Sequence, residues 1–213
     1  MLIGAGSLEL PYVLAGGSRD KVSGRIRLPE RSAEWHDVND AERLDLPIVP
    51  ADRQREAVVS EFAVSENISL SVLDRISRRF RIDKKAEREL VERWTERLGI
   101  VTAGGDSPIA TLSGGNQQKV IVARCLGRDA GILLLCEPTA GVDIGTRVSI
   151  YELIAGLAAD GLTVIVASSD EGDLLAMCTR IVVLRDGRVA EEMNPDGLTQ
   201  QALVSAIEGE PNA

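Results

Sequence analysis

The chain has 213 residues, with 33 acidic and 24 basic side chains and a formal net charge of −9. This length supports one domain with a sizeable core and room for an inserted lobe. The acidic balance and an aromatic content of 3% argue against a nucleic-acid-binding surface, which needs basic residues and stacking rings. No apolar run is long enough to span a bilayer, and the start lacks a signal-peptide pattern. We therefore expect a cytosolic chain that reaches a membrane only through a partner.

The N-terminal segment predicts the end of an apolar strand, a glycine turn and then a helix. Gly4 and Gly6 flank Ala5, and apolar residues recur at helical spacing from Leu8 onward. This order is typical of a phosphate-binding loop, although two glycines alone also fit a tight turn. Pro11 should shorten the helix or displace its start, because proline removes a backbone donor.

Alternation and composition predict the elements of the next hundred residues. A strand is expected over 23–28, a polar loop over 29–45 and a second strand over 46–50. A helical pattern covers 64–100, where Asp83 is the expected N-cap of the second helix.

The stretch 109–119 predicts a helix end that can receive an anion. Ser113, Gly114 and Gly115 form a small turn, and helix-forming residues follow from Asn116. The first N–H groups of such a helix have no intrahelical partner and carry the positive end of the dipole, while the serine hydroxyl adds a donor. A serine-capped helix without a ligand is the alternative that these residues alone leave open.

An apolar run over 131–135 predicts a buried parallel strand, which leads directly into Cys136 and Glu137. A carboxylate at the carboxyl end of a central strand lies where open α/β sheets bind ligands. No metal site is expected from Cys125, Cys136 and Cys178, whose spacing is not metal-like and which read as buried reduced thiols, or from the single His36.

The last third of the chain predicts further α/β structure. We expect a helix from Asp143 to a C-cap at Gly161, a buried strand over 162–167, a hairpin over 181–190 and a helix over 198–207.

Two segments together resemble ATP-binding cassette (ABC) proteins. Leu-Ser-Gly-Gly-Asn-Gln-Gln-Lys at 112–119 is similar to their signature, and Leu-Leu-Leu-Cys-Glu-Pro-Thr-Ala-Gly-Val-Asp at 133–143 is similar to their Walker B and D-loop segments. The Asn-Gln-Gln-Lys variant resembles the ribose, galactose and xylose importer branch, whose ATPase subunit carries two cassettes in one chain. The resemblance implies an α/β, P-loop NTPase-like fold with a mostly parallel sheet and helices on both faces.

The resemblance also implies a domain organisation. The whole chain would be one nucleotide-binding domain, with a core of 1–63 and 130–213 and a helical lobe of about 64–129 that carries the signature. The strands that precede the phosphate loop in the family would lie before Met1, so we expect a fragment, a shortened product or half of a fused protein.

By the same resemblance, the chain's own ATP site has lost several ligands. Ser7 stands where the family has the loop lysine, Ala51 where a Gln or Glu approaches Mg²⁺, and Cys136 where an aspartate organises Mg²⁺. A thiol is a poor ligand for such a hard cation. Ser169 stands where a hydrolysing cassette has histidine, so only Glu137 remains as the base for the attacking water. We expect weak nucleotide binding and little or no hydrolysis by this degenerate site.

ABC cassettes pair head to tail, so the resemblance implies that the signature acts in trans on a partner's nucleotide. The residues implied for that contact are Ser113, Gly114, Gly115 and Gln117, while those implied for the chain's own site are Gly4, Gly6, Ser7, Asp143 and Ser169. The implied cofactors are ATP and Mg²⁺ in the composite site. The implied partners are a second cassette, an integral-membrane sugar permease and, indirectly, a sugar-binding protein.

The resemblance thus implies part of a sugar-transporting ATPase, held peripherally on the inner face of the cell membrane, whose isolated chain is weak or inactive. Two alternatives stay open: a stand-alone ABC ATPase and a non-catalytic regulatory module. Asp52 and Arg53 fit either an exposed turn or a permease contact.

Overall fold

The computed structural model describes residues 6–17, 24–27, 32–35, 44–79 and 81–209. The predicted strand end before Gly4, Gly4 itself and His36 lie outside these residues. The strands are β1 Gly24–Arg27, β2 Ser32–Trp35, β3 Ile48–Val49, β4 Ser77–Arg78, β5 Arg81–Ile82, β6 Ile132–Cys136, β7 Thr163–Ala167, β8 Ile181–Arg185 and β9 Arg188–Met193. The α-helices are α1 Glu9–Leu14, α2 Arg53–Glu56, α3 Val64–Ser69, α4 Leu73–Ile76, α5 Lys84–Leu98, α6 Gly114–Leu126, α7 Ile144–Ala159, α8 Glu171–Met177 and α9 Gln200–Glu208.

The central sheet has the order β3-β6-β7, and both pairings are parallel. In the middle strand β6, Leu134 pairs with Ile48 on one side and with Ile165 on the other. A strand that is covered on both faces needs apolar residues at every position, which explains the unbroken run Ile-Leu-Leu-Leu-Cys. The predicted strands at 46–50, 131–135 and 162–167 are confirmed.

Helices cover both faces of this sheet. Leu133 and Leu135 belong to the largest core cluster, together with apolar side chains of α6 and α7. Leu134 points to the other face and packs in a second cluster with Val13 and Leu14 of α1. The predicted α/β fold with helices on both faces of a parallel sheet is therefore confirmed.

Helix α1 is short, as the position of Pro11 predicts. It begins at Glu9 and has 6 residues. Pro11 is its third residue, within the first turn, where a missing N–H costs no helical hydrogen bond.

The region between Val64 and Leu126 is mostly helical, with α3, α5 and α6 packed around shared core residues. Asp83 is the N-cap of α5, and its carboxylate accepts hydrogen bonds from Lys85 N at 3.1 Å and Ala86 N at 3.2 Å. The prediction of a helical pattern over 64–100 is wrong in part, because the small hairpin of β4 and β5 lies between the two expected helices. Arginines at 75, 78, 79 and 81 would repel one another at helical spacings of three and four, which disfavours a helix there.

The loop predicted over 29–45 is also wrong in part, because β2 lies within it. β2 pairs antiparallel with β1, from Gly24 opposite Trp35 to Arg27 opposite Ser32. A strand such as β1 must pair its backbone N–H and C=O groups, and β2, a short Ser-Ala-Glu-Trp segment within the mostly polar stretch 29–45, provides that partner.

The C-terminal part follows the sequence prediction closely. Strands β8 and β9 form the expected hairpin, and both turn residues, Asp186 and Gly187, have positive φ angles of 50° and 70°. The hairpin packs on α9 through a third core cluster that includes Val183 and Leu203. Helix α7 ends with Asp160 as C-cap and Gly161 at φ 93°, so the predicted stop is confirmed within one residue. None of the helices in the described ranges combines the length and the apolar composition needed to cross a bilayer.

Candidate functional site

The N-terminus of α6 is capped by Ser113. The hydroxyl oxygen of this exposed serine accepts hydrogen bonds from Asn116 N at 3.5 Å and from Asn116 Nδ2 at 3.0 Å. The helix begins at Gly114, two residues earlier than the sequence indicates. The serine cap, left open as an alternative above, is therefore present, and the hydroxyl hydrogen donates to no group within the described ranges.

Gly114 and Gly115 allow two other segments to approach this helix end. A Cβ atom on Gly114 would lie 2.6 Å from Arg53 Nη2, and one on Gly115 would lie 2.1 Å from Thr146 Cγ2. Among the described residues, the backbone N–H groups of the two glycines have no hydrogen-bond partner. The first turn of α6 therefore offers two N–H donors between the side chains of α2 and α7.

Gln117 lies inside the structure. Its side chain is 7% exposed, and its amide nitrogen donates to the carbonyls of Ile109 and Leu112, each at 3.3 Å. Its amide oxygen accepts from Gln54 Nε2. The structure thus places this side chain in support of the preceding loop, and its contact with a nucleotide in trans stays a prediction.

Arg53 brings a positive charge to the same helix end. Its Nη1 donates to the carbonyl of Ala140 at 3.1 Å, and its Nη2 lies over Gly114. Its Nε is buried and has no partner among the described residues. The open alternatives for Arg53, an exposed turn or a permease contact, did not include this position, and no local pattern signals a contact across 87 residues.

Glu137 and Ser169 are brought together by the sheet. Cys136 and Ala167 are paired at the ends of β6 and β7, and Glu137 N donates to the Ala167 carbonyl at 2.8 Å. The Glu137 carboxylate then accepts from Ser169 N at 2.7 Å. Glu137 has a φ of 49°, a sparsely populated conformation for a non-glycine residue that aims the carboxylate across the ends of the strands.

Cys136 does not present a metal ligand. Its thiol is buried and donates to the carbonyl of Leu8 at 3.5 Å. Burial, followed by the nearby carboxylate of Glu137, raises the pKa of Cys136 to about 11, so the thiol is neutral near pH 7. No group of three or more His, Cys, Asp or Glu side chains in the described ranges could hold a metal ion. The described residues at this position therefore do not fit Mg²⁺.

Helix α1 also occupies the neighbourhood of Ala51. The Tyr12 hydroxyl accepts from Ala51 N at 3.1 Å and donates to Glu56 Oε1 at 3.3 Å. Burial raises the pKa of Tyr12, so this hydroxyl keeps its hydrogen at neutral pH. The backbone amide at the expected Mg²⁺-facing segment is therefore already engaged by the protein itself.

The described part of the N-terminal turn comprises Gly6 and Ser7. Gly6 has a φ of 87°, a conformation that favours glycine, and its carbonyl accepts from Leu10 N at 3.0 Å. Ser7 is half-buried. A cavity of about 370 Å³ lies beside α1, and its described lining carries no cationic side chain; it is formed by Leu8, Glu9, Tyr12, Val13 and Gly17.

Asp143 is the N-cap of α7. Its carboxylate accepts from Thr146 N at 3.0 Å and from Thr146 Oγ1 at 2.6 Å. The Thr146 hydroxyl, followed by its backbone N–H, lowers the pKa of Asp143. Because Thr146 also lies against Gly115, the structure links Asp143 to residues 113–115, which we call the signature turn.

Sequence reasoning missed a buried carboxylate behind these loops. Asp173 is fully buried and accepts hydrogen bonds from the hydroxyls of Thr139, Tyr151 and Ser168. Arg147 Nη1 lies 3.5 Å from its Oδ1. Burial, followed by the Asp173 carboxylate, raises the pKa of Tyr151 to about 12, so this phenol remains a donor.

Comparison with known proteins adds a family match. The model of the family described as ABC transporter matches residues 4–140. An arabinose import ATP-binding protein AraG from Azospirillum brasilense is 40% identical over 204 residues, which are 95% of this chain and 39% of that protein. A xylose import ATP-binding protein XylG from Pseudomonas syringae pv. tomato is 36% identical over 210 residues, which are 99% of this chain and 40% of that protein. The chain thus spans about two fifths of the length of these curated relatives.

Solved structures agree with the fold. The ATP-binding cassette MJ0796, in a dimeric post-hydrolysis state bound to ADP and Pi, superposes with a TM-score of 0.68 at 22% identity, over 90% of this chain and 81% of that one. The cbiO1 protein from Clostridium perfringens, part of the ABC transporter complex cbiONQ, gives a TM-score of 0.69 at 22% identity, over 97% of this chain and 80% of that one.

Proposed function

The chain belongs to the ABC transporter family, and from that premise we propose that it is an ATP-binding component of a sugar importer that completes a nucleotide site on a partner cassette. One contrast carries the proposal. The signature turn offers N–H donors that lie beside Arg53 and have no partner in the described part of the chain. The chain's own site has a neutral thiol at Cys136 and serine at position 7. The names of the arabinose and xylose import relatives support a sugar as the transported substrate.

In this proposal the first turn of α6 binds the terminal phosphate of a nucleotide held by the partner. The N–H groups of Gly114 and Gly115 and the Ser113 hydroxyl donate to phosphate oxygens, and the helix dipole adds a favourable field. Each hydrogen bond to a charged group is worth roughly 1.5–3 kcal/mol. Bound ATP with Mg²⁺ supplies the phosphoryl group whose transfer to water drives transport.

The chain's own site contributes little to hydrolysis. Without a loop lysine it lacks one charge-assisted phosphate contact, a loss of roughly 1.5–3 kcal/mol. Ser169 in place of a histidine removes a transition-state donor, typically worth about 10²–10³ in rate. Glu137 keeps the position of a general base but stands beside a thiol that does not hold Mg²⁺.

The implied assembly follows from the same proposal. A second ABC cassette with an intact lysine loop binds head to tail, and an integral-membrane sugar permease binds both cassettes and receives sugar from a binding protein. The chain then lies on the cytoplasmic side, peripheral to the inner face of the cell membrane. ATPase activity belongs to the complex.

A mixed ATPase assay tests the proposal. The chain is combined with a partner cassette that carries an intact loop and with the permease, and hydrolysis is compared for wild type and Ser113→Arg. The arginine side chain removes the cap and fills the phosphate position, so we expect activity to fall roughly 100-fold, the effect of losing a donor at a developing charge. Thr199→Arg is the matched control, because Thr199 is also an exposed N-cap, with its hydroxyl accepting from Ala202 N at 3.2 Å. Equal hydrolysis by wild type and Ser113→Arg overturns the role in trans.

Burial of Gln117 favours a second candidate, a non-catalytic module that touches a permease or cassette without completing an ATP site. An ATP analogue with a photoreactive γ-phosphate separates the two. Crosslinking to the signature turn in the complex supports the first candidate, and its absence with full complex formation supports the second.

A further inference from the structure

We propose that Asp173 is a positioning residue for the composite ATP site, holding the loop 137–143 and the start of α7 against the signature turn. The inference rests on the function proposed above. It assigns a measurable role in turnover to a carboxylate that is fully buried.

Both carboxylate oxygens of Asp173 accept hydrogen bonds from neighbouring side chains. One oxygen, Oδ2, accepts from the hydroxyls of Thr139 and Ser168, and the other, Oδ1, accepts from the hydroxyl of Tyr151 beside the guanidinium of Arg147. These donors come from the loop after β6, the loop after β7, and helix α7. A buried charge that is satisfied on both oxygens fixes the relative position of the elements that supply its partners.

A first path leads from Asp173 to the signature through the loop after β6. The loop is anchored where Thr139 donates to Asp173. The next residue, Ala140, accepts from Arg53 Nη1 at 3.1 Å, and Arg53 Nη2 lies over Gly114. A displaced Thr139 therefore displaces the cation beside the first N–H donor.

A second path leads through α7. Arg147 and Tyr151 bind Asp173 from this helix, and Thr146, on the same turn as Arg147, lies against Gly115. Both paths end at the two glycines whose N–H groups are proposed to bind phosphate, so Asp173 holds the surroundings of both donors.

The third anchored segment is the loop after β7, which carries Ser169, the residue that contacts Glu137. Ser168 Oγ, which donates to Asp173, also accepts from Asp170 N at 3.1 Å. Arg147 Nη1 contacts Asp170 Oδ2 at 2.7 Å. Between these anchors, Ser169 N donates to Glu137 at 2.7 Å, so Asp173 also fixes the loop 168–170 that holds the Glu137 carboxylate.

The test uses the complex of the full chain with partner cassette and permease. Asp173→Asn keeps the side-chain volume but replaces one acceptor oxygen by an NH2 group, which can only donate. We expect kcat to fall roughly 10- to 100-fold, as for a small misplacement of reacting groups, with KM for ATP nearly unchanged. Thr139→Val should lower kcat in the same way, Thr139→Ser should restore it, and the double variant Asp173→Asn, Thr139→Val should be no worse than the poorer single variant.

Glu87→Gln is the matched control. Glu87 is a second buried carboxylate, 4% exposed, that accepts from a serine hydroxyl, Ser69 Oγ, at 3.0 Å. It lies on α5 and belongs to neither path. We expect Glu87→Gln to lower the unfolding temperature about as much as Asp173→Asn without lowering kcat.

The outcomes separate the two proposals. If the wild-type complex is inactive, or is insensitive to Ser113→Arg, the proposed function fails. If that complex is active and sensitive but Asp173→Asn lowers kcat no more than Glu87→Gln, the positioning role is overturned. If the Asp173→Asn chain does not fold, the comparison of Thr139→Val with Thr139→Ser decides, and equal kcat values overturn the inference.

Discussion

The packing of Thr146 against Gly115 makes a sharp prediction about stability. In Gly115→Ala the new Cβ would lie 2.1 Å from Thr146 Cγ2, far inside the 3.5–4.0 Å at which carbon atoms attract. Thr146 cannot easily turn away, because its hydroxyl donates to Asp143 Oδ2 at 2.6 Å and a β-branched side chain in a helix has one or two allowed rotamers.

The magnitude follows from two opposing terms. Overpacking of this kind costs about 1–3 kcal/mol, while replacing glycine by alanine in a helix gains about 1 kcal/mol. We therefore expect Gly115→Ala to be destabilising by about 0–2 kcal/mol in the wild-type background. Thr146→Ser removes the clashing methyl group and keeps the hydroxyl, so in that background the same change should stabilise by up to about 1 kcal/mol.

A double-mutant cycle with urea and thermal unfolding measures the difference. The coupling energy between the two substitutions should be about 1–3 kcal/mol, and each kcal/mol should move the unfolding temperature by about 2–4 °C for a chain of this size. Gly114→Ala is the control, because its Cβ meets the flexible end of Arg53 at 2.6 Å, which can move. If Gly115→Ala has the same effect in both backgrounds, the described contact does not exist in solution.

Two further predictions concern buried groups. Arg124 donates to the carbonyls of Ala57 and Asn67, each at 2.6 Å. Arg124→Met should therefore lower the free energy of unfolding by at least about 2 kcal/mol in urea titrations, and Arg124→Lys should recover part of that loss. Equal stability of Arg124→Met and wild type would contradict this prediction. Burial raises the pKa of Cys125 from 9.0 to about 12 and that of Cys136 from 9.0 to about 11. The two thiols therefore ionise at a lower pH in the unfolded chain than in the folded chain. Their contribution to the free energy of unfolding should be fully present below about pH 9 and should fall as the pH rises towards 11. The urea midpoint measured across that range should fall less when both cysteines are replaced by serine, and a midpoint independent of pH would refute the assignment.

Local patterns in the sequence were sufficient to predict most strands of the central sheet and the helices that cover it. The run from Ile132 to Cys136 has no polar residue, and a short run of this kind is typical of a strand covered on both faces. Asp83 and Gly161 mark a helix start and a helix stop by short-range chemistry. By contrast, β2 was missed because its four residues are a short segment within the mostly polar stretch 29–45, and they form a strand by pairing with β1.

The sequence predicts only those residues of the candidate site that belong to local motifs. The residues 113–115, Glu137 and Ser169 could be proposed as site residues because each belongs to a local pattern. Arg53 was not assigned to the signature turn, because its contact with Ala140 crosses 87 residues and depends on the packed fold. Asp173 was missed for the same reason, since its partners become neighbours only after three elements pack. Burial of Gln117 likewise follows from tertiary contacts with Gln54 and Ile109.

Calorimetric titration of the isolated chain with ATP and Mg²⁺ tests the central claim most directly. The account predicts no saturable binding at concentrations that saturate the partner cassette, because the proposed home site has serine at position 7 and a protonated thiol at Cys136. Tight, saturable uptake of Mg-ATP by the lone chain, with turnover abolished by Glu137→Gln, would contradict it.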